Sequence, residues 1–137
     1  MRQYVTGISD FDAAIRLKPY YTEIYLLRGR AKSDLGEHFS AISDYDAAIL
    51  LMPDKADFYM LRASANFKLG QYVTAISDYD KAIRLKPTDA GAYYTRGLTK
   101  GMLGLFREEK QDLLIALKLA EQKGDMDLIA EIEQDLY

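Results

Sequence analysis

Three arginines and four aspartates recur through this sequence at one fixed interval. Arg28, Arg62 and Arg96 stand 34 residues apart, and so do Asp10, Asp44, Asp78 and Asp112. A guanidinium meets a carboxylate through two parallel hydrogen bonds, so the pair suits a structure that must hold a fixed register. The spacing predicts a structural arginine–aspartate ladder tying successive units together, the alternative being that both sets are solvated surface charges. Acid–base catalysis finds little to work with. Asp78 and Asp80 are two residues apart, about 200° around a helix, and cannot form a paired acid and base. The single histidine, His38, lies beside Phe39 where the neighbouring unit has Tyr72, and reads as a surface or packing residue. Gly36 and Gly70 fit no phosphate-loop pattern. With no cysteine there is no disulfide or thiolate chemistry, and a metal would need oxygen ligands alone. No catalytic residue, metal or cofactor is expected, and the chain reads as a non-enzyme.

The interval belongs to the whole chain. GISDFDAAIRLKP, AISDYDAAILLMP and AISDYDKAIRLKP end on Pro19, Pro53 and Pro87, which marks an internal repeat. In the last copy Ala75, Ile76, Tyr79, Ala82 and Ile83 fall on one helical face, with polar residues between them. Proline then stops the helix, having no amide hydrogen to donate. A lone helix cannot bury such a stripe, so each copy needs a partner. Thr22 to Leu35, ended by Gly36, and Ala56 to Leu69, ended by Gly70, supply it. The loops allow only antiparallel helix pairs.

The pattern predicts one domain over 1–137. Residues 1–21 form a half unit with the second-type helix only; 22–55 and 56–89 are full units. Residues 90–123 form a divergent unit, with Glu109 in place of the alanine at 41 and 75 and Glu121 in place of the proline. Its second helix is expected to run on to Gly124, and Asp125 to cap a final helix over 125–137 that closes the stack.

The chain is 137 residues long, 49% hydrophobic, with a net charge of −3. That supports a real core, and without a basic stretch neither nucleic acid nor an anionic membrane surface is an expected partner. MRQYVTGISDFD holds no apolar run of signal-peptide length, and no segment approaches the roughly 20 apolar residues that span a bilayer. A cytoplasmic location is expected.

These residues resemble the tetratricopeptide repeat over about 4–121. The family's small-residue positions are filled by Gly29, Ala41 and Ala48, then Ala63, Ala75 and Ala82; its aromatic positions by Tyr25 and Tyr45, then Tyr59 and Tyr79. Arginine departs from the family's usual leucine at 28, 62 and 96, and Lys32, Asn66 and Lys100 replace its usual tyrosine. The resemblance implies an all-α, right-handed superhelical solenoid of antiparallel helix pairs whose first helices line a peptide-holding groove. Carried across, the lining is Leu26, Leu27, Arg30, Met60, Leu61, Ser64, Phe67, Tyr94, Thr95, Leu98 and Met102, with Ser33, Asp34 and Lys68 as polar markers. The helix Ala56 to Leu69 is itself apolar nearly all round, which agrees with a covered outer face. Of the positions used by the family's chaperone-binding clamp, here Leu26, Arg30, Leu61, Gly91 and Thr95, only Arg30 could serve, so no such clamp is expected.

The function expected is a protein-interaction scaffold holding a partner's peptide in an apolar groove. Two alternatives stand beside it. One is a self-associating module, a homodimer or part of a longer array, docking through Val5, Ile8, Phe11 and Ile15, since burying such side chains stabilises by roughly 1.5–3 kcal/mol each. The other is a chaperone-like holder of an apolar segment.

Overall fold

The computed structural model describes the backbone of residues 2–137 and the side chains of residues 7–137. The helices it describes are α1 (Arg2–Leu17), α2 (Thr22–Asp34), α3 (His38–Leu51), α4 (Ala56–Lys68), α5 (Tyr72–Leu85), α6 (Ala90–Met102), α7 (Phe106–Lys123) and α8 (Met126–Leu136). Each packs chiefly on the next in sequence, so the chain is a stack of helix pairs, α2/α3, α4/α5 and α6/α7, with α1 at one end and α8 at the other.

The turns inside each pair are set by glycine. Gly36, Gly70 and Gly104 have φ of 82°, 76° and 80°, a region that a side chain disfavours. The residue after each glycine donates its N–H back into the helix: Glu37 to Lys32 at 2.8 Å, Gln71 to Asn66 at 2.9 Å, Leu105 to Lys100 at 3.0 Å. That bond satisfies a helix-end carbonyl that would otherwise lack a partner. Between pairs, the Tyr25 hydroxyl donates to the Pro19 carbonyl at 2.6 Å and the Tyr59 hydroxyl to Pro53 at 2.9 Å. The tyrosine that opens a unit thus fastens the proline turn that closes the preceding one.

Close approach of the helices rests on small side chains. Ala41, Ala48, Ala63, Ala75, Ala92, Ala116 and Ala120 are completely buried, and Tyr45 and Tyr79 fill the space around them at 2% and 3% exposure. Gly29 shows the tolerance, for an added Cβ would lie 2.6 Å from the Tyr45 ring. The last pair ends differently. Ile132 of α8 is fully buried with Leu113, Ala116 and Ala120 of α7, while Leu128, Ile129 and Leu136 pack around it. Asp125 accepts the Leu128 N–H at 3.2 Å and starts that helix as its type predicts. No helix among the described residues is long and apolar enough to cross a membrane.

Candidate functional site

Two features recur with the repeat: a column of ion pairs running through the stack, and hollows between successive first helices. In the column each arginine holds two helices at once. Arg28 Nε and Nη2 donate to Asp44 at 2.9 and 2.6 Å, and Nη1 donates to Asp12 at 2.7 Å. Arg62 does the same with Asp78 at 2.8 Å twice and with Asp46 at 2.8 Å. Arg96 engages Asp112 at 2.9 and 2.8 Å and Asp80 at 2.9 Å. One carboxylate comes from the second helix of the arginine's own unit, the other from the second helix of the unit before.

This departs from the sequence expectation at Asp10. The guanidinium that reaches α1 closes on Asp12, and Asp10 stands exposed on another side of that helix. Spacing alone brought forward the aspartates 16 residues after each arginine; those 16 residues before, Asp12, Asp46 and Asp80, needed the stacking of units to come into view. The two-residue separation that rules out a catalytic dyad aims Asp78 at α4 and Asp80 at α6. The lysines found where tyrosine is usual join the same cluster, with Lys32 Nζ 3.2 Å from Asp44 and Lys100 Nζ 3.2 Å from Asp112. In the middle unit Asn66 instead donates to the Arg62 carbonyl at 3.2 Å. Each guanidinium also lies over the tyrosine one turn back, 6.0, 5.7 and 5.3 Å from the rings of Tyr25, Tyr59 and Tyr93. Hydrogen bonds to the carboxylates hold all three arginines above their ordinary pKa against the opposing effect of burial, so the column keeps its charge.

The hollows are built from equivalent residues of successive units. The first, about 250 Å³, lies between α2 and α4 and is lined by Arg30, Ser33, Asp34, Leu61, Ser64 and Lys68, with Tyr45 of α3 beneath. The second, about 240 Å³, lies between α4 and α6 and is lined by Ser64, Phe67, Lys68, Thr95 and Leu98, with Tyr79 of α5 beneath. Their chemistry differs: charged groups and hydroxyls dominate the first, apolar side chains the second. The surface is therefore apolar only toward α6.

Several expected lining residues lie elsewhere. Leu26 is 7% exposed and packs with Tyr45, Ala48 and Phe58, so it is core, because it faces α3 and α4. Met60, its equivalent one repeat on, packs half-buried against Ala75 and Tyr79. Tyr94, the third of that series, is half-buried near α8 and donates its hydroxyl to Asp135. Leu27 and Met102 remain exposed at 38% and 56%. Tyr45 and Tyr79, which occupy aromatic positions of the repeat, also form the floor of the hollows. Burial pushes both phenols above their usual pKa, opposed by Ser33 at Tyr45 and by Thr95 and Thr99 at Tyr79. Burial and the Asp135 carboxylate raise Tyr94 in the same direction. His38 begins α3 with Nδ1 buried and no hydrogen-bond partner among the described residues. At the α1 end Ile8, Phe11 and Ile15 are half-buried, and Val5 lies outside the described side chains.

A family model described as TPR repeat matches residues 63–104. No curated protein matches the sequence. Among solved structures, the TPR2B domain of yeast Sti1 in its complex with pHsp70 has a TM-score of 0.81 and 25% identity, covering 85% of this chain and 93% of that one. The first TPR of Spaghetti (RPAP3), bound to the HSP90 peptide SRMEEVD, has a TM-score of 0.71 and 26% identity over 84% of this chain and 92% of that one. A crystal structure of MamA protein has a TM-score of 0.80 at 22% identity, covering 98% of this chain and 81% of that one, a likeness of fold. The architecture shared with these structures is an all-α right-handed superhelical solenoid of antiparallel helix pairs.

Proposed function

Because the chain is a tetratricopeptide-repeat protein, we propose that it is a non-enzymatic scaffold that holds a peptide segment of another protein across the faces of α2, α4 and α6. The observation that carries this reading is the pair of adjoining hollows, which share Ser64 and Lys68 as a common wall. A side chain seated on Phe67, Tyr79 and Leu98 loses water from both surfaces, and burial of one large apolar side chain is worth roughly 1.5–3 kcal/mol. The neighbouring hollow offers Arg30 and Lys68 to a carboxylate or backbone carbonyl, against the single opposing charge of Asp34. Apolar burial there supplies affinity and the charged hollow sets direction along the groove. Two similar structures, the yeast Sti1 domain with pHsp70 and the Spaghetti domain with SRMEEVD, each hold a peptide or protein partner, which supports the same use here.

The test is selection from a phage-displayed library of random peptides on the full chain, followed by fluorescence anisotropy of the winners. Winners are expected to carry an aliphatic or aromatic residue and to bind Leu98→Glu and Leu61→Glu at least about tenfold more weakly, with the sedimentation of both variants unchanged. Peptides that bind those variants as tightly as the parent chain would sink the proposal.

A further inference from the structure

The hollow between α2 and α4 gathers cations that the stack itself does not use. Arg28, Arg62 and Arg96, with Lys32 and Lys100, are committed to carboxylates of the column. Arg30 enters the hollow from α2 and Lys68 from α4, and neither forms an ion pair among the described residues. The hydroxyls of Ser33 and Ser64 line the same space. Beneath them lies Tyr45, 2% exposed, whose hydroxyl has no closer partner among the described residues than Ser33 Oγ at 3.4 Å. So long a contact leaves a buried hydroxyl with bonding capacity to spare. Burial pushes the Tyr45 phenol up, while the Ser33 contact and the Arg30 charge oppose that rise, so the positive field of the wall reaches the floor. The repeat does not require this set of donors. In the next hollow Phe67 and Leu98 take the places of Ser33 and Ser64, and Met102 is the counterpart of Lys68.

We propose that this hollow seats a phosphorylated serine or threonine side chain of the bound peptide. The inference rests on the groove reading above and names the residue that its charged end selects. A carboxylate is planar and offers two oxygens. A phosphomonoester offers three, pointing apart, with a charge of about −1.5 to −2 near neutral pH. Donors that approach from two walls and a floor suit the tetrahedral group. The Arg30 fork can take two of its oxygens and Lys68 the third, with the three hydroxyls completing the shell. Asp34 opposes with one charge, but it is exposed and screened by solvent. Because Ser64 and Lys68 also wall the apolar hollow, the phosphorylated residue and the apolar one lie within a few residues of each other in the peptide.

The probe is an array of peptides with one fixed phosphoserine among randomised positions, printed beside the same sequences with serine and with glutamate. The best sequences are then titrated with the full chain by fluorescence anisotropy. The phosphoserine form is expected to bind at least about tenfold more tightly than the serine form and several-fold more tightly than the glutamate form. Its advantage should disappear in the exposed double substitution Arg30→Gln with Lys68→Gln, while Asp34→Asn should tighten it about threefold. It should also grow from about pH 5 to about pH 7, as the phosphoryl group loses its second proton with a pKa of about 6. The glutamate form, ionised throughout, should stay nearly flat. Equal binding of the phosphoserine and glutamate forms overturns the proposal, as does an advantage that survives the double substitution. Inorganic phosphate that displaces the peptide as well as the phosphopeptide does, mole for mole, would make this a free-anion site and overturn it too. Leu98-dependent binding with no preference for phosphate sinks this inference and leaves the groove standing. Failure of all three forms to bind removes the groove, and this inference with it.

Discussion

Replacing Arg62 by methionine keeps most of the stem and removes the guanidinium, which makes it the most direct test of the column. Two bonds of 2.8 Å to Asp78 are lost, and that carboxylate is only 9% exposed. Hydrogen bonds to charged groups contribute about 1.5–3 kcal/mol, and no lysine is left to take the charge because Asn66 stands where the flanking units have Lys32 and Lys100. The third bond reaches Asp46, 55% exposed, where solvent screening leaves about 0.2–1 kcal/mol. The guanidinium keeps 25% exposure, so the total should fall at the lower edge of the roughly 3–5 kcal/mol seen when a fully buried pair is broken. Urea unfolding followed by far-ultraviolet circular dichroism should therefore show Arg62→Met destabilised by about 3 kcal/mol with the slope unchanged, against about 0.5 kcal/mol for Asp46→Asn. Arg28→Met and Arg96→Met should cost less, since Lys32 and Lys100 remain 3.2 Å from Asp44 and Asp112. The double variant Arg62→Met with Asp78→Leu should be more stable than Arg62→Met alone, because no charge is stranded. If Arg62→Met costs no more than Asp46→Asn, the reasoning is wrong.

Two further outcomes follow from the backbone and the tyrosines. Gly70→Ala should lose about 1–2 kcal/mol in the same assay, since φ is 76° and the added methyl meets nothing within 4 Å, leaving backbone strain as the sole cost. Above the usual phenol pKa of about 10, the unfolded chain releases protons that folded Tyr45 and Tyr79 retain, because burial raises both. Stability is then full below that pH and falls as pH rises, and the fall should be shallower in Tyr45→Phe and Tyr79→Phe than in the parent.

Helix identity and pairing were legible because they depend on near neighbours: the stripe Ala75, Ile76, Tyr79, Ala82 and Ile83, the stop at Pro87 and the turn at Gly70 all act within one unit. Helix boundaries read from these signals fall within a residue or two of those in the structure. What depended on the join between units was harder to read. Asp12, Asp46 and Asp80 matter only once the preceding unit is laid against the arginine. Leu26, Met60 and Tyr94 sit one residue before Leu27, Leu61 and Thr95, and a helix turns about 100° per residue. That single step separates buried Leu26 from exposed Leu27, and hydrophobicity does not distinguish them. Tyr94 depended besides on where α8 comes to lie, which no repeat could supply.

The arginine column places its strongest polar contacts, the paired bonds to Asp44, Asp78 and Asp112, inside the units, and one weaker bond from each guanidinium across the seam to Asp12, Asp46 or Asp80. In a quasi-one-dimensional stack, stability divides into what each unit has alone and what it gains from its neighbour. Opening one unit here strips a carboxylate from the next arginine and exposes the tyrosine–proline clasp as well, so a modest neighbour term adds to the larger unit term that the paired bonds supply. The surface spread over α2, α4 and α6 therefore draws its local shape from bonds within each unit and its continuity from the weaker bonds between them.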